Sequence, residues 1–260
     1  MVRPGIVTAA SLAAVRAAIQ PGVSTLELDE IAERTIRAAG GVPNFMKEPG
    51  YHHTLCVSVN DAVVHGVPTD YVLQPGDIVS VDSGAEVDGW NGDAAFTVVV
   101  ADPARASVVV ERQALADATE HGLWAGIAAL TREADLHAIG GVIEDAIRGR
   151  GPYGILEDYV GHGIGRSMHE EPSVFNYRVD DRGPAVKPGL VIAIEPMVTA
   201  GTIETHTLED GWTVVTDDGS IAAHWEHSVA VHEGGLWVLT AEDGGAAQLA
   251  EFGIVPSPPQ

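Results

Sequence analysis

Pro75-Gly76-Asp77-Ile78-Val79-Ser80-Val81-Asp82 and Pro188-Gly189-Leu190-Val191-Ile192-Ala193-Ile194-Glu195 carry one pattern: a Pro-Gly turn, a β-rich run, and a carboxylate seven residues after the proline. Pro-Gly turns before strands are common, so one such pair is weak by itself. The surroundings repeat as well. A second acid follows each copy, with Asp93 leading into 94–100 and Glu226 leading into 227–231, and a helical segment precedes each. The chain therefore reads as a single unit over 1–242, built from two similar halves at about 20–115 and 116–242.

The helices between these strands are legible from their periodicity. Ser24 with Glu27 predicts a capping box, and Leu28, Ile31, Ala32, Thr35, Ile36 and Ala39 follow at helical spacing until Gly40-Gly41. A second helical region is expected from about 103 to 129. A third has Leu136, Ile139, Ile143 and Ile147 on one face and ends near 149–151. The run from Ile6 to Val15 behind Arg3 imitates a signal peptide, but Arg16 follows and no small-residue cleavage site precedes Pro21-Gly22. It reads as an amphipathic first helix of a protein that stays in the cytosol. Residues 243–260 offer little apolar periodicity, end in a proline cluster, and read as a flexible tail.

A carboxylate at the end of an apolar strand needs a partner, because an unpaired buried charge is costly. Asp82 and Glu195 both stand there. A buried ion pair would serve, yet the chain has 14 Lys and Arg against 37 Asp and Glu, and a metal cation is the simpler partner. Cys56 is the only cysteine, which excludes a disulfide within the chain and a thiolate zinc site. The formal charge of −23 argues against a nucleic-acid partner, and no apolar run reaches the roughly 20 residues that span a bilayer.

His162 lies between Gly161 and Gly163, where bare backbone admits a close ligand. His169 follows seven residues later, and His65 precedes Gly66 in the first half. A lone histidine in such a loop is more often structural or incidental than functional. Three loop histidines beside four strand carboxylates form a constellation.

The stretch Gly161-His162-Gly163-Ile164-Gly165-Arg166-Ser167-Met168-His169-Glu170-Glu171-Pro172 resembles the signature of type I methionine aminopeptidases. The resemblance continues in order through Val59-Asn60-Asp61, His65-Gly66-Val67-Pro68, Gly76-Asp77-Ile78-Val79 with Asp82, Gly92-Asp93, Lys187-Pro188-Gly189, Ile194-Glu195-Pro196-Met197, Asp210-Gly211-Trp212-Thr213 and Glu226-His227. It implies the α/β "pita-bread" fold, two pseudo-symmetric halves whose antiparallel strands form a curved sheet with helices outside. It implies two divalent ions, Mn, Fe(II) or Co, held by Asp82, Asp93, His162, Glu195 and Glu226, with Asp93 and Glu226 bridging. A hydroxide shared by the ions would attack the first peptide bond. Glu195 would also shuttle a proton, while His65 and His169 would steady the substrate. Tyr51, Cys56, Met168 and Trp212 match the methionine pocket. The implied partners are nascent polypeptide N-termini at the ribosome, met by a cytoplasmic monomer.

The match has departures. Met168 stands where phenylalanine is frequent, His224 where glutamine is common, and Glu48 to Thr54 replaces a more regular loop. His52, His53 and His224 read as surface loop histidines, and the chain is expected to begin short of the usual first helix. Proline-specific peptidases of the same fold are the nearest rivals, but those resemble longer chains with an extra N-terminal domain. Some proteins of this fold have lost metal ligands and only bind; here all five positions are filled.

Overall fold

The computed structural model describes residues 1–259. Its helices are α1 (Val2–Ala18), α2 (Thr25–Ala38), α3 (Ala106–Ala129), α4 (Ala138–Arg148) and the short α5 (Ala246–Leu249). The strands of the first half are β1 (Val42–Pro43), β2 (Leu55–Val59), β3 (Ala62–Val64), β4 (Ile78–Val87) and β5 (Trp90–Val99). Those of the second are β6 (Gly154–Ile155), β7 (Gly161–Gly163), β8 (Glu170–Val174), β9 (Val191–Ile194), β10 (Met197–Thr199), β11 (Thr205–Thr207), β12 (Val214–Thr216), β13 (Ala222–His224), β14 (Glu226–His232) and β15 (Gly235–Val238).

The main antiparallel sheet runs β1-β4-β5-β14-β9-β7-β8, with β2 also on β4 and β15 also on β14. The repeated strands are thus β4 and β9, their acid-bearing followers are β5 and β14, and the halves meet where β5 pairs with β14. Helices α1 and α2 pack together over the first half, and α3 and α4 over the second. This is the two-half, helices-outside arrangement that the repeat and the resemblance implied.

Helix α2 has the expected cap: Ser24 Oγ accepts from the Glu27 N–H, and the Glu27 carboxylate accepts from the Ser24 N–H at 2.7 Å. Leu136, Ile139, Ile143 and Ile147 are fully buried against the core. Asp102 caps a 3-10 turn at Pro103–Arg105, so α3 itself starts only at Ala106. The buried face of α1 is amphipathic in position but not in chemistry. It includes Thr8 and Ser11, whose hydroxyls bond the Gly92 carbonyl at 3.0 Å and Ser83 Oγ at 3.3 Å.

Three local expectations change. The strand bearing Asp82 does not end there: β4 continues to Val87 because Ser83–Val87 pair with β5. His162 belongs to a strand rather than a loop, and its flanking glycines answer to neighbouring backbone. A Cβ on Gly163 would stand 2.7 Å from the Glu171 carbonyl carbon, and one on Gly161 would run into the Ala193 carbonyl, whose carbon is 3.3 Å away.

The third concerns the C-terminal segment, which is packed rather than free. Leu249 is fully buried, Phe252 and Ile254 lie against the core, and the Ser257 N–H donates to the Leu236 carbonyl at 3.0 Å. Leu249→Ala should therefore destabilise the protein by about 2–5 kcal/mol in a denaturant titration. A loose tail would leave the midpoint unmoved.

Candidate metal centre

Strand register builds the site. Cys56 pairs with Asp82 across β2 and β4, Asp82 with Ala95 across β4 and β5, and Ala95 with Glu226 across β5 and β14. Residues opposite one another in a sheet share a face, so Cys56, Asp82 and Glu226 lie in one row, and Asp93, two residues from Ala95, faces the same way. Glu195 follows β9 immediately, beyond the Ile194 to His227 pair, and so comes beside Glu226. The four central strands each deliver one carboxylate.

These acids are nearly shut off from water. Asp93 is 4% exposed and Glu226 2%, and Glu195 has 13% of its side chain exposed. Asp82 is half-buried, but its Oδ1 is enclosed. Burial, reinforced by the neighbouring acids, holds the carboxyls of Asp82, Glu195 and Glu226 well above the ordinary carboxylate range, and burial pushes Asp93 up to about 7. No Lys or Arg lines the cavity they enclose.

Asp82 Oδ1, Asp93 Oδ1 and Glu226 Oε1 are buried without a hydrogen-bond partner. Most buried acceptors in native proteins are satisfied, so three such carboxylate oxygens lining one cavity call for a cation. Asp93, His162 and Glu226 offer ligand atoms that all lie within 4.8 Å of one another. The His162 ring has Nδ1 2.9 Å from its neighbour's carbonyl at Gly163, which leaves Nε2 free, 3.5 Å from Glu195 Oε1 and 3.9 Å from Asp93 Oδ2. Burial lowers its pKa to about 4 and so favours the neutral ring a metal needs. The donor set fits a divalent ion.

A cavity of about 190 Å³ opens on this cluster and is walled by Phe45, Glu48, Tyr51, Cys56, Val64, His65, His169 and Trp212. Tyr51 Oη donates to the Leu55 carbonyl at 2.6 Å, lies 3.3 Å from Cys56 Sγ, and its ring meets Trp212 edge-on at 5.0 Å. His65 adopts φ 58°, a conformation that costs a non-glycine residue about 1–2 kcal/mol, and packs edge-on against Tyr159 at 5.6 Å. His169 stands exposed at the rim with its ring centre 4.5 Å from that of His162. A wider groove of about 570 Å³ lies beyond Gly66, Val67 and Thr213. Its Asp61, Asp217 and His206 are half-buried or exposed and do not cluster as the four acids do.

The structure thus gathers the expected residues with one exception. Met168 is buried but does not line the cavity, because its tip packs against Gly84 beside Phe45. Phe45, Glu48 and Val64 were not foreseen as lining. His52 is exposed, and His53 is half-buried with Nδ1 3.3 Å from Asp29, whose other oxygen accepts the N–H groups of Thr54 and Leu55 at 2.8 Å. His224 is no surface histidine. It is 2% exposed on β13, its Nε2 is 3.8 Å from Glu195 Oε2, and burial holds its pKa near 3, about as low as any imidazole here.

Residues 1–233 match the model of metallopeptidase family M24. The chain is 49% identical over 247 residues to methionine aminopeptidase 1 of Mycobacterium tuberculosis, covering 92% of this chain and 91% of that one. It is 41% identical over 222 residues to methionine aminopeptidase 1 of Bacillus subtilis, covering 85% and 87%. The crystal structure of a methionine aminopeptidase from Thermotoga maritima superposes with a TM-score of 0.87 at 36% identity, over 93% of this chain and 95% of that one. A prolidase from Pyrococcus furiosus shares the fold alone, with a TM-score of 0.66 at 20% identity over 92% of this chain but 62% of its own. A buried acid cluster on paired central strands and near full-length identity to the aminopeptidases agree, and the chain belongs to metallopeptidase family M24, among its methionine aminopeptidases.

Proposed function

We propose that this protein removes the initiator methionine from nascent polypeptides with two divalent ions held by Asp82, Asp93, His162, Glu195 and Glu226. The observation that carries the reading is the set of buried, unpartnered oxygens on Asp82, Asp93 and Glu226. Asp93 and Glu226 sit on the two innermost strands, between the strands of Asp82 and Glu195, and would be the acids within reach of both ions. One imidazole among four carboxylates favours Mn, Fe(II) or Co over a structural zinc. Bound there, the ions would supply an acidified water and an electrophile for the scissile carbonyl.

The remaining work falls to side chains. Glu195 takes a proton from the attacking water and returns it to the departing amine nitrogen. His65 and His169 donate hydrogen bonds to the substrate carbonyl oxygen and the scissile amide from the cavity wall. Phe45, Tyr51, Cys56, Val64 and Trp212 receive the methionine side chain, in a volume below the roughly 300–1,000 Å³ that encloses drug-sized ligands. The catalytic unit comprises residues 1–242 with halves at about 20–115 and 116–242. The protein acts as a cytoplasmic monomer on polypeptide N-termini; no helix among the described residues is long and apolar enough to cross a membrane.

Chelated protein reloaded with Mn, Fe(II) or Co should cleave Met-Gly-Met-Met and leave Gly-Pro and Met-Pro intact, as read by chromatography of the products. Cleavage of the proline dipeptides without the tetrapeptide would overturn the reading.

A further inference from the structure

His224 ends β13, and Glu226 begins β14 two residues later, so both side chains turn toward the acid cluster while Trp225 turns away, under the Arg16 guanidinium. Its Nε2 has no hydrogen-bond partner and lies 3.8 Å from Glu195 Oε2. An unmet polar atom this deep costs about 1–3 kcal/mol. The backbone holds it there nonetheless. The His224 N–H donates to Ser80 Oγ at 3.1 Å and Thr97 Oγ1 at 3.0 Å, and Thr97 Oγ1 donates to the His224 carbonyl at 2.7 Å. Ser80 and Thr97 belong to β4 and β5, the strands of Asp82 and Asp93, so the backbone that carries the ring is fixed by the framework that builds the site.

Glu195 consequently has an imidazole at each oxygen: His162 Nε2 is 3.5 Å from Oε1, and His224 Nε2 is 3.8 Å from Oε2. A bridging water would need the second pair to be about 4.5 Å apart, two bent hydrogen bonds end to end. A water therefore does not fit between them, and a shift of under about 1 Å in the Glu195 side chain brings the two into direct contact. The reading above gives Glu195 two tasks, holding an ion and carrying a proton, which require its oxygens to be kept distinct.

We propose that His224 is a positioning residue whose Nε2–H holds Glu195 Oε2, fixing the carboxylate's rotation and leaving Oε1 beside His162 as the atom offered to an ion. The inference rests on the aminopeptidase reading for its effect on turnover, but the contact itself can be tested without metal. In chelated, ¹⁵N-labelled protein at alkaline pH, where the raised Glu195 carboxyl is ionised, His224 should be protonated at Nε2, and that proton's resonance should move in Glu195→Gln. In Mn-loaded enzyme, His224→Leu should lose roughly 10–100-fold in kcat with little change in KM or Tm. His224→Gln, which keeps an N–H donor, should recover most of that loss.

A ring protonated at Nδ1 with a bare Nε2 would make His224 an acceptor or an additional metal ligand and would overturn the proposal. So would wild-type kcat in His224→Leu, or a Gln variant as impaired as the Leu variant. Should His224→Leu fail to fold, the resonance experiment and the Gln variant still decide. If unaltered protein does not cleave the tetrapeptide, the aminopeptidase reading fails, and the chelated-protein spectrum judges the contact separately.

Discussion

Asp93→Asn should make the metal-free protein more stable at pH 8 while abolishing its activity. Burial pushes the Asp93 carboxyl up to about 7, and Asp82, Glu195 and Glu226 are raised with it. A carboxyl whose folded-state pKa is raised binds more protons folded than unfolded. The cost of these carboxyls to the metal-free protein is therefore absent below about pH 4, the unfolded value, and grows as pH climbs toward 7. Asn carries no charge to bury, so the variant should gain on the order of 1 kcal/mol or more at pH 8 and almost nothing at pH 4. Thermal melts in EDTA at both values measure this.

Divalent metal should reverse the order. Mn should bind the folded wild type and raise its Tm with concentration, whereas the variant, lacking one of the proposed ligands, should respond weakly. Turnover should fall by at least the roughly 10²–10⁴-fold worth of one acid–base group, because losing an ion removes more than one catalytic effect. A stability difference between Asp93→Asn and wild type that is the same at pH 4 and 8 in EDTA, with a wild type indifferent to Mn, would show that these acids are satisfied by protein alone.

How far the sequence carries depends on whether the cause of a feature is local. The two Pro-Gly strands are legible because turn chemistry and apolar runs are local. Their duplication locates Asp82 and Glu195, and the next strands locate Asp93 and Glu226. His224 is the opposite case. Between Ala223 and Trp225 nothing marks it as buried, and what buries it are the hydroxyls of Ser80 and Thr97, more than a hundred residues away. Met168 illustrates the same limit, since its displacement from the cavity depends on Gly84 and Phe45 converging from another strand and a turn. Leu249, Phe252 and Ile254 anchor a segment whose large apolar residues are too few and too unevenly spaced to form a pattern.

His65→Ala and His169→Ala should each lower kcat by about 10²–10³-fold, the worth of a donor aimed at developing charge, while metal content stays at the wild-type level. Neither imidazole belongs to the cluster of mutually close ligand atoms formed by Asp93, His162 and Glu226, yet both line the cavity that opens on it. Their substitution should differ in stability. His169 is exposed at the rim, and its loss should leave Tm within a few degrees. His65 is held at φ 58°, a strain of about 1–2 kcal/mol that Ala keeps and Gly relieves. His65→Gly should thus be the more stable of the two His65 variants and equally inactive, so a fold that improves as turnover collapses would place the ring's value in the reaction. Metal analysis on the same preparations separates the roles: if His65→Ala and His169→Ala shed metal to the extent that Asp93→Asn does, the division into ligands and substrate-facing donors is wrong.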